Sequence, residues 1–436
     1  MFFNLLRSRN GRFLSFALMY VSEGVPQGFV GTAMVAYMRR EGMPVDQIGY
    51  FAAALALPWA FKWAWAPLVD LIKLDRFGGR KAWIVSCTVL MTATLITAAV
   101  IDFTTNFQLL VMILVCSNIF AATQDIAIDS LAVRTLQDDE RGRASGFMWA
   151  GTSIGYGLGG GGAMYVSGLM GFNAALLFVS GLLVLNLLFI LIFVVDPDAG
   201  SSAVKKAGLT LKSLFSSLLK LYLEILNSFF NSGIGPRVGL VFTLLPPGAF
   251  VLVGAMYNAM LVDSGRTVIQ IADINVIGGV IYAVGSVAGG FLGDRYGLQK
   301  IMAAAYALTT LPTLFMAFQI SSVGLQGLSI EMLYSVIFSH WFFSGMCTGL
   351  RIATLMRLTN PAVAASQFTA FMAFSSLGVV IANYWQGKMA HEMGYETLLY
   401  VDSALVIIPV LLIPFLRNRE AEELVPDVLN RLDGSA

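Results

Sequence analysis

The sequence predicts an all-α membrane protein with twelve transmembrane helices in two pseudo-symmetric bundles of six. Three observations lead to this fold class: an apolar composition, apolar runs that recur to the end of the chain, and features shared by its two halves. Of the 436 residues, 57% are hydrophobic and 12% are charged, about half the charged share of a soluble globular protein. Mean hydropathy is +0.76.

Twelve apolar runs are long enough to cross a hydrocarbon core, which takes about 20 helical residues. They are 13–36, 47–72, 82–101, 108–131, 143–168, 172–195, 238–262, 269–292, 300–320, 329–354, 363–387 and 395–416. Residues 1–12 are basic and lead directly into a run of spanning length, so we interpret the start of the chain as a first helix rather than a cleaved signal.

A polar interval divides the runs into two sets of six. The predicted organisation is an N-terminal six-helix bundle at 1–195, a cytoplasmic linker at 196–237, a C-terminal six-helix bundle at 238–416 and a cytoplasmic tail at 417–436. Within the linker, LKSLFSSLLKLYLEILNSFF (211–230) mixes charged and apolar residues as a helix lying in the membrane interface does. A partly inserted extra span is the alternative.

The basic residues predict that both termini are cytoplasmic. With that orientation, 22 of the 27 Lys and Arg residues fall on the inner side and four in outer loops, while Lys62 lies within a span. This asymmetry follows the positive-inside rule. The basic residues are dispersed and the net charge is only +1, so we expect no nucleic-acid partner.

The cysteines and histidines give no sign of a metal or cofactor. Cys87, Cys116 and Cys347 fall in apolar runs without a CxxC pair, and the two histidines are 51 residues apart. We expect packed thiols, no metal and no cofactor. A membrane-embedded enzyme needs a convergent nucleophile and base or a metal site, so a transferase, like a sensor, is a less favoured alternative to a transporter.

The two halves share features at a step of 224 residues. Asp70 follows the second run and Asp294 follows the eighth, each with basic residues and glycines after it. The first run of each half is also interrupted, by EGVPQGF (23–29) and by LPPGAF (245–250). Paired interruptions in corresponding helices point to a transporter site between the halves.

Several motifs resemble known families. GGFLGDRYGLQK (289–300) resembles the loop signature of the major facilitator superfamily, and WAWAPLVDLIKLDRFGGRKAW (63–83) is a looser version. The segments FKWAWAPLVD (61–70), FGGRKAW (77–83), AATQDIAIDSLAV (121–133) and DERGRASG (139–146) resemble AmpG-type muropeptide permeases and the acetyl-coenzyme A transporters of the endoplasmic reticulum.

The resemblance is strong from roughly residue 20 to 165 and only generic beyond. It implies the major facilitator fold and, for the AmpG branch, proton-driven import of anhydromuropeptides across the bacterial inner membrane. Siderophore and acyl-coenzyme A transporters of the same superfamily remain alternatives. The expected partners are therefore a small-molecule substrate, protons and membrane lipid, and we expect a monomer.

The candidate proton-coupling groups are three carboxylates inside predicted spans of the first half, Glu23, Asp125 and Asp129. A charged carboxylate at the bilayer centre costs at least ~2.5 kcal/mol, so burial favours a protonated form. Asp125 and Asp129 are four residues apart and share a helical face. The structural alternatives are a Glu23 bonded permanently to a neighbouring helix or Lys62, and an Asp129 that anchors Arg80 or Arg134.

Lys62 heads the candidate substrate-binding residues. As an ammonium within a span it needs a counter-ion, for which Asp125, Asp129 and Glu23 are available, either as a fixed pair or as one that opens for a proton or an anionic substrate. The other candidates are Gln124, Arg351, His340, Trp59 and Tyr156. Arg351 is alternatively an inner-surface charge, His340 a packed side chain, and the aromatic residues packing or interface anchors.

Asp70, Arg80, Asp294 and Arg295 are the candidate gating residues. An aspartate at a helix end pairs with basic residues and with the positive ends of neighbouring helices, which closes the cytoplasmic side when the outer side is open. GYGLGGGG (155–162) contains the nucleotide pattern G-x-G-x-x-G but follows no strand. We interpret its glycines, with Gly151, as a helix-packing face.

Overall fold

The computed structural model describes residues 4–66, 69, 78–101, 103–137, 140–197, 219, 223, 227, 229–230, 233–359 and 364–417. Within these ranges the chain is helical and contains no β-strand. The predicted interfacial helix at 211–230 falls mostly outside the described residues, as do Asp70 and the tail from 418 onward.

Twelve membrane passes, α1 to α12, run through the described residues and confirm the predicted fold class. In the first half α1 comprises Arg9–Gly28, a π-helical stretch Phe29–Met34 and Val35–Arg40; α2 is Val45–Phe61 followed by a 3-10 turn Lys62–Ala64; α3 is Arg80–Ala99; α4 is Phe103–Thr135; α5 comprises Arg141–Gly157, a π-helical stretch Leu158–Gly162 and Ala163–Met170; α6 is Phe172–Phe193.

The second half repeats this order with a deeper interruption in its first pass. Here α7 comprises Ile234–Leu244 and Ala255–Asp263; α8 is Val268–Tyr296; α9 is Leu298–Val323; α10 is Ile330–Leu358. The segment Ala364–Leu405 is divided at the non-helical Gly394 into α11 and α12, and α12 continues through Ile407–Leu412 and Ile413–Phe415. Six helical segments are long and apolar enough to span by length and composition alone, and the other passes are shorter, interrupted or more polar.

The paired interruption predicted in the two halves is realised unequally. In α1 the backbone stays helical through Pro26 and only widens into the π-helical stretch Phe29–Met34. In α7 the helix stops at Leu244 and restarts at Ala255. The difference follows from the sequence: α1 has a single proline, whereas α7 has Pro246 and Pro247 in succession, and two missing amide donors break a helix more completely than one.

Glycines bring α5 against α1. A Cβ atom added to Gly151, Gly155 or Gly159 would lie 2.1, 2.4 or 1.9 Å from the carbonyl oxygens of Ala17, Val21 and Val25 respectively. Both sets of residues are spaced by four, so the two helices meet along one ladder of close backbone contacts. The predicted packing face is therefore present, and it aligns the two π-helical stretches.

The halves meet through related helix pairs. α2 packs against α11, and α5 packs against α8, which are exchanged by the relation between the halves, while α1 contacts α7. We call the side of the molecule that carries the described chain ends the terminal face and the other side the opposite face. The ion pair between Arg39 and Asp263 (Nε to Oδ1, 2.6 Å) and the hydrogen bond from Tyr165 to Asp273 join the halves at the opposite face.

On the terminal face, polar contacts tie the first half together. Arg12 donates from Nε to Glu140 Oε2 (2.8 Å) and from Nη2 to Oε1 (2.5 Å), and Arg9 lies 3.7 Å from the same carboxylate. Glu140 directly precedes α5, where a negative charge also suits the helix N-terminus. These contacts fix the loop between α4 and α5 to the start of α1.

Substituting Gly159 tests the ladder. Gly159→Ala places a methyl group against the Val25 carbonyl oxygen, and overpacking of this kind costs about 1–3 kcal/mol. We expect a lower thermal unfolding midpoint in detergent. Gly157→Ala is the matched control, because a Cβ there meets nothing within 4 Å. Equal midpoints for the two variants would show that the ladder does not hold α1 to α5.

Glu140 predicts a pH dependence of stability. Hydrogen bonding from Arg12 holds the pKa of Glu140 below its ordinary value of 4.5. A carboxyl whose pKa is lowered by folding stabilises the fold above its unfolded pKa, and this contribution disappears as the pH falls through the folded value. The stability advantage of the native chain over Glu140→Gln should therefore be constant near neutral pH and decline below pH 4.5. Thermal unfolding across that range measures it, and an advantage that does not change with pH would contradict the pairing.

Candidate functional site

An ion pair lies inside the first half. Lys62 Nζ is 2.5 Å from Asp125 Oδ2, and the side chains are 19% and 6% exposed. The regular turns of α2 end at Phe61, and the 3-10 turn that follows directs Lys62 toward α4. The ammonium also lies 5.2 Å from the centre of the Trp59 ring, a distance at which cation–π attraction operates. The predicted contact between Lys62 and one of the two aspartates is confirmed.

Two more carboxyls surround this pair. Asp129 accepts a hydrogen bond from the Tyr20 hydroxyl at 2.5 Å, and Glu23 Oε1 accepts one from Gln27 Nε2 at 3.1 Å. The second oxygen of Glu23 is buried without a partner, and Glu23 interacts electrostatically with Asp125, Lys62 and Asp129. One ammonium therefore serves three carboxyls.

The cluster is reached from the terminal face. Asp129 is exposed although it lies within α4, five residues before Arg134 and so about 7 Å along the helix. The partly exposed Lys62 lies deeper, next to the nearly buried Asp125. Exposure decreases from Asp129 toward the ion pair, so we place the candidate cavity beside these side chains, with Asp129 outermost.

Gln124 does not face that cavity. It is fully buried, donating from Nε2 to Thr88 Oγ1 at 2.6 Å and accepting at Oε1 from Ser22 at 3.4 Å. It therefore joins α4 to α3 and α1, which corrects its expected position among the cavity groups. Being one residue before Asp125, it lies about 100° around the helix from it, toward the bundle interior.

Trp59 borders the ion pair, and Tyr156 lies further along α5. Trp59 donates from its indole nitrogen to Asn118 Oδ1 at 3.1 Å, which fixes the ring beside Lys62. Tyr156 is 37% exposed and lies close to Tyr282 and Tyr257 of the second half. Aromatic side chains from both halves thus share a region where a sugar ring could stack. The binding roles of both residues stay predictions.

Arg351 binds the broken helix of the second half. It is 6% exposed and donates to the carbonyl oxygens of Leu245 (2.6 Å) and Thr243 (2.7 Å) and to Ser375 Oγ (3.0 Å). Those carbonyls belong to the last turn before the break in α7, which has no helical partner for them. Arg351 is therefore buried in the bundle rather than exposed at the inner surface, and its substrate-binding role stays a prediction.

The other end of the break is held by residues that the sequence analysis did not select. Asp402 Oδ2 accepts from the amides of Phe250 (2.7 Å) and Val251 (3.0 Å), and Thr309 Oγ1 accepts from the amide of Ala249 at 2.9 Å. A signal was available for Asp402, because it is an acidic residue well inside the span at 395–416 and intramembrane carboxylates are functional candidates by default. Asp402 matches no motif in the first half, so a search for repeated patterns passes over it.

His340 packs behind the same break. It is fully buried, with Nδ1 3.1 Å from Thr313 Oγ1 and 3.3 Å from the Thr309 carbonyl oxygen. Both partners belong to α9, so the imidazole bridges α10 and α9. This position agrees with the packed alternative for His340 and separates it from the Lys62 cluster.

Three of the candidate gating residues, Arg80, Asp294 and Arg295, have partners in their own half. Asp294 Oδ1 is 3.8 Å from Arg357 Nη2, with side chains 78% and 67% exposed, and such surface pairs contribute about 0–1 kcal/mol. Arg295 lies over the Tyr296 ring. Arg80 donates to Ser130 Oγ and to the Val69 carbonyl, both in its own half. Their gating role at the terminal face stays a prediction.

Comparison with known proteins decides the family. The sequence profile of the Major Facilitator Superfamily matches residues 13–248, more than half of the chain. The chain belongs to the major facilitator superfamily. It is thus a membrane transporter of that superfamily, and the pseudo-symmetric arrangement of six and six helices is the fold of its relatives.

Relatives of this transporter include proteins of the AmpG group. The anhydromuropeptide permease of Escherichia coli K12 is 24% identical over 399 residues, which cover 90% of this chain and 77% of that protein. A Rickettsia felis protein that carries the name AmpG 4 is 24% identical over 421 residues, covering 94% and 97%. The resemblance inferred from the motifs is confirmed.

Solved structures agree on the fold. A D-xylose–proton symporter superposes with a TM-score of 0.70 at 12% sequence identity, covering 94% of this chain and 98% of that one. The nucleoside transporter NupG superposes with a TM-score of 0.62 at 15% identity, covering 93% and 98%. These similarities concern the fold alone.

A double-mutant cycle tests the ion pair. Lys62→Met leaves Asp125 without its counter-ion, and breaking a buried pair from one side costs about 3–5 kcal/mol. Adding Asp125→Asn should recover most of this loss. Lys388→Met, which removes an exposed lysine 3.9 Å from Glu392, is the control, and additive losses in the cycle would show that Lys62 and Asp125 do not interact.

Proposed function

We propose that this transporter imports an anhydromuropeptide together with protons across the bacterial inner membrane, acting as a monomer by alternating access. The observation that carries the proposal is the cluster of one ammonium and three carboxyls inside the first half, built from Lys62, Asp125, Glu23 and Asp129. The overall similarity to an anhydromuropeptide permease supports the substrate class.

The charge balance of the cluster suits proton coupling. With all groups ionised, three negative charges face one positive charge in a medium that solvates charge poorly. A proton added to the cluster relieves repulsion, and if Asp125 takes it, the ion pair with Lys62 weakens. Lys62 is then available to a carboxylate of the peptide part of the substrate, so that proton and substrate bind together.

The remaining features of the first half fit a sugar–peptide solute. Trp59 beside Lys62 offers an aromatic face, and Tyr156 offers another that is open to the space between the halves. Sugar rings stack on aromatic faces, while peptide carboxylates need a cation, and the cavity offers both kinds of group. The proton-coupling roles are proposed for Glu23, Asp125 and Asp129.

The proposed orientation places the terminal face in the cytoplasm. The excess of basic residues on that side supports it. Since the halves contact each other at the opposite face through Arg39 and Asp263, the conformation described here would be closed to the outside. Asp70, Arg80, Asp294 and Arg295 are proposed to meet when the transporter opens outward.

Uptake by Asp125→Asn tests the coupling. In proteoliposomes with an acidic exterior, the native protein should accumulate labelled GlcNAc–1,6-anhydroMurNAc-peptide. The variant should lose the part of uptake that follows the pH gradient and keep counterflow exchange, because an amide cannot exchange a proton but preserves the shape of the site. Uptake that still follows the gradient in this variant would remove Asp125 from the mechanism.

Controls separate coupling from folding and from substrate choice. Glu392→Gln changes an exposed carboxyl near Lys388 and should transport as the native protein does. Competition by a ferric siderophore or a coenzyme A ester, with no competition by the unlabelled muropeptide, would contradict the proposed substrate. Equal rates with and without a pH gradient in the native protein would contradict the proposed coupling.

A further inference from the structure

The break in α7 is held by opposite charges at its two ends. Arg351 binds the carbonyl oxygens of Thr243 and Leu245 before the break, and Asp402 binds the amides of Phe250 and Val251 within it. A guanidinium on free carbonyls and a carboxylate on free amides each replace hydrogen bonds that the interrupted helix lacks. Non-helical backbone at membrane depth is tolerated only where other groups satisfy its hydrogen bonds.

The two charges differ in what they can do. A guanidinium stays protonated under all physiological conditions, so the hydrogen bonds of Arg351 to the two carbonyl oxygens do not depend on pH. Asp402 can accept a proton, and its hydrogen bonds come from three neutral donors, the two amides and Gln386 Nε2 at 3.2 Å. Among the described residues, no basic side chain bonds to it. Its charge is therefore held by neutral groups alone, in a side chain that is 4% exposed.

Among the described residues, the titratable or charged side chains that the neighbouring helices bring to the break bind groups other than Asp402. From α10, Arg351 binds the other end, and His340 contacts Thr309 and Thr313 of α9 and the backbone of Ala249 in the break. From α9, Tyr306 interacts with Arg351. From α11, Gln386 is neutral. The ionisation of Asp402 thus decides the strength of its own bonds, since charge-assisted hydrogen bonds are roughly twice as strong as neutral ones.

The segment beyond the break closes the opposite face. The half-helix Ala255–Asp263 packs against α1, α2 and α11. Its Asn258 donates to the Gly31 carbonyl at 3.4 Å, and its last residue, Asp263, binds Arg39 of α1 and accepts from Tyr395 of α12 at 2.7 Å. Whatever fixes the amides of Phe250 and Val251 therefore fixes the root of a half-helix that joins the two halves.

We propose that Asp402 is a proton-responsive positioning residue of the transport cycle, which holds the half-helix Ala255–Asp263 in the closed position when ionised and releases it when protonated. The inference rests on the proposed proton coupling and assigns to the second half a part in it that the Lys62 cluster does not play. A proton on Asp402 weakens its bonds to the two amides and allows the opposite face to open.

Distance measurements without substrate test this proposal. Spin labels at Glu41→Cys and Gln326→Cys, both exposed at the opposite face, are introduced after Cys87, Cys116 and Cys347 are replaced by serine. In nanodiscs, double electron–electron resonance should show a second, longer distance between the two labels, and the population with that distance should grow as the pH falls. The ratio of open to closed populations should change by at most about tenfold per pH unit, as one titrating group requires.

Asp402→Asn should keep the longer distance populated at every pH, because the amide side chain resembles the protonated acid. Gln386→Leu removes a donor that favours the ionised form, so it should move the midpoint of the transition to higher pH, and it provides a test if the first variant does not fold. If Asp402 had only a structural role, Asp402→Asn would change the ratio of open to closed populations by the same factor at every pH. A native pH profile in both variants, or no pH dependence in the native protein, would overturn the proposal.

The same measurement distinguishes this proposal from the proposed function. Asp125→Asn should retain the pH-dependent distance change at the opposite face, because its carboxyl lies in the other half. Loss of pH-driven uptake together with an unchanged profile in Asp402→Asn would contradict only the role of Asp402. Loss of the profile in Asp402→Asn, with uptake by Asp125→Asn that still follows the gradient, would contradict only the role of Asp125.

Discussion

The structure depends on one constraint, which is that a charge or an unpaired backbone group inside the hydrocarbon layer must have a partner. The first half meets it with side chains: Lys62 pairs with Asp125, and the carboxyls of Glu23 and Asp129 lie near this pair. The second half meets it with backbone: Arg351 and Asp402 bind the ends of the break in α7. Buried charge thus forms a side-chain cluster in one bundle and holds an interrupted helix in the other.

This division explains why the two halves share a fold but not a site. A step of 224 residues aligns the loops after α2 and α8, where Asp294 corresponds to Asp70, but it carries Asp125 onto Gly349. Loops at the membrane surface are constrained by the shared topology and helix ends. Residues within the spans are constrained by their own neighbours, and those differ once one bundle contains a ten-residue break at 245–254 and the other does not.

The sequence was sufficient for the fold and for the main contact of the site, and insufficient where a side chain's direction matters. Hydropathy gives depth, so the twelve passes and the pairing of Lys62 with an aspartate on a shared face could be predicted. The depth of a residue in the membrane does not say which way its side chain points around the helix. Gln124, one residue from Asp125, points into the bundle and binds Thr88. The position of Arg351 was ambiguous for another reason. Its partners are the carbonyl oxygens of Thr243 and Leu245. They are free because the helix breaks there, and the sequence does not fix the residues at which the break begins and ends.

Alternating access requires that the halves move against each other without repacking large side chains, and the interfaces between them have the necessary form. Where α2 meets α11, a Cβ on Gly49 would lie 2.7 Å from Gly387 Cα. Where α5 meets α8, Gly161 approaches Val276 and Gly168 approaches Ile269. Contacts of backbone with backbone or with a single side chain lack deep interdigitation, so sliding or rocking there changes few rotamers. The polar contacts of Asp263 with Arg39 and Tyr395 lie further out and can separate into water. The form of these interfaces is therefore compatible with the rocking motion that alternating access requires.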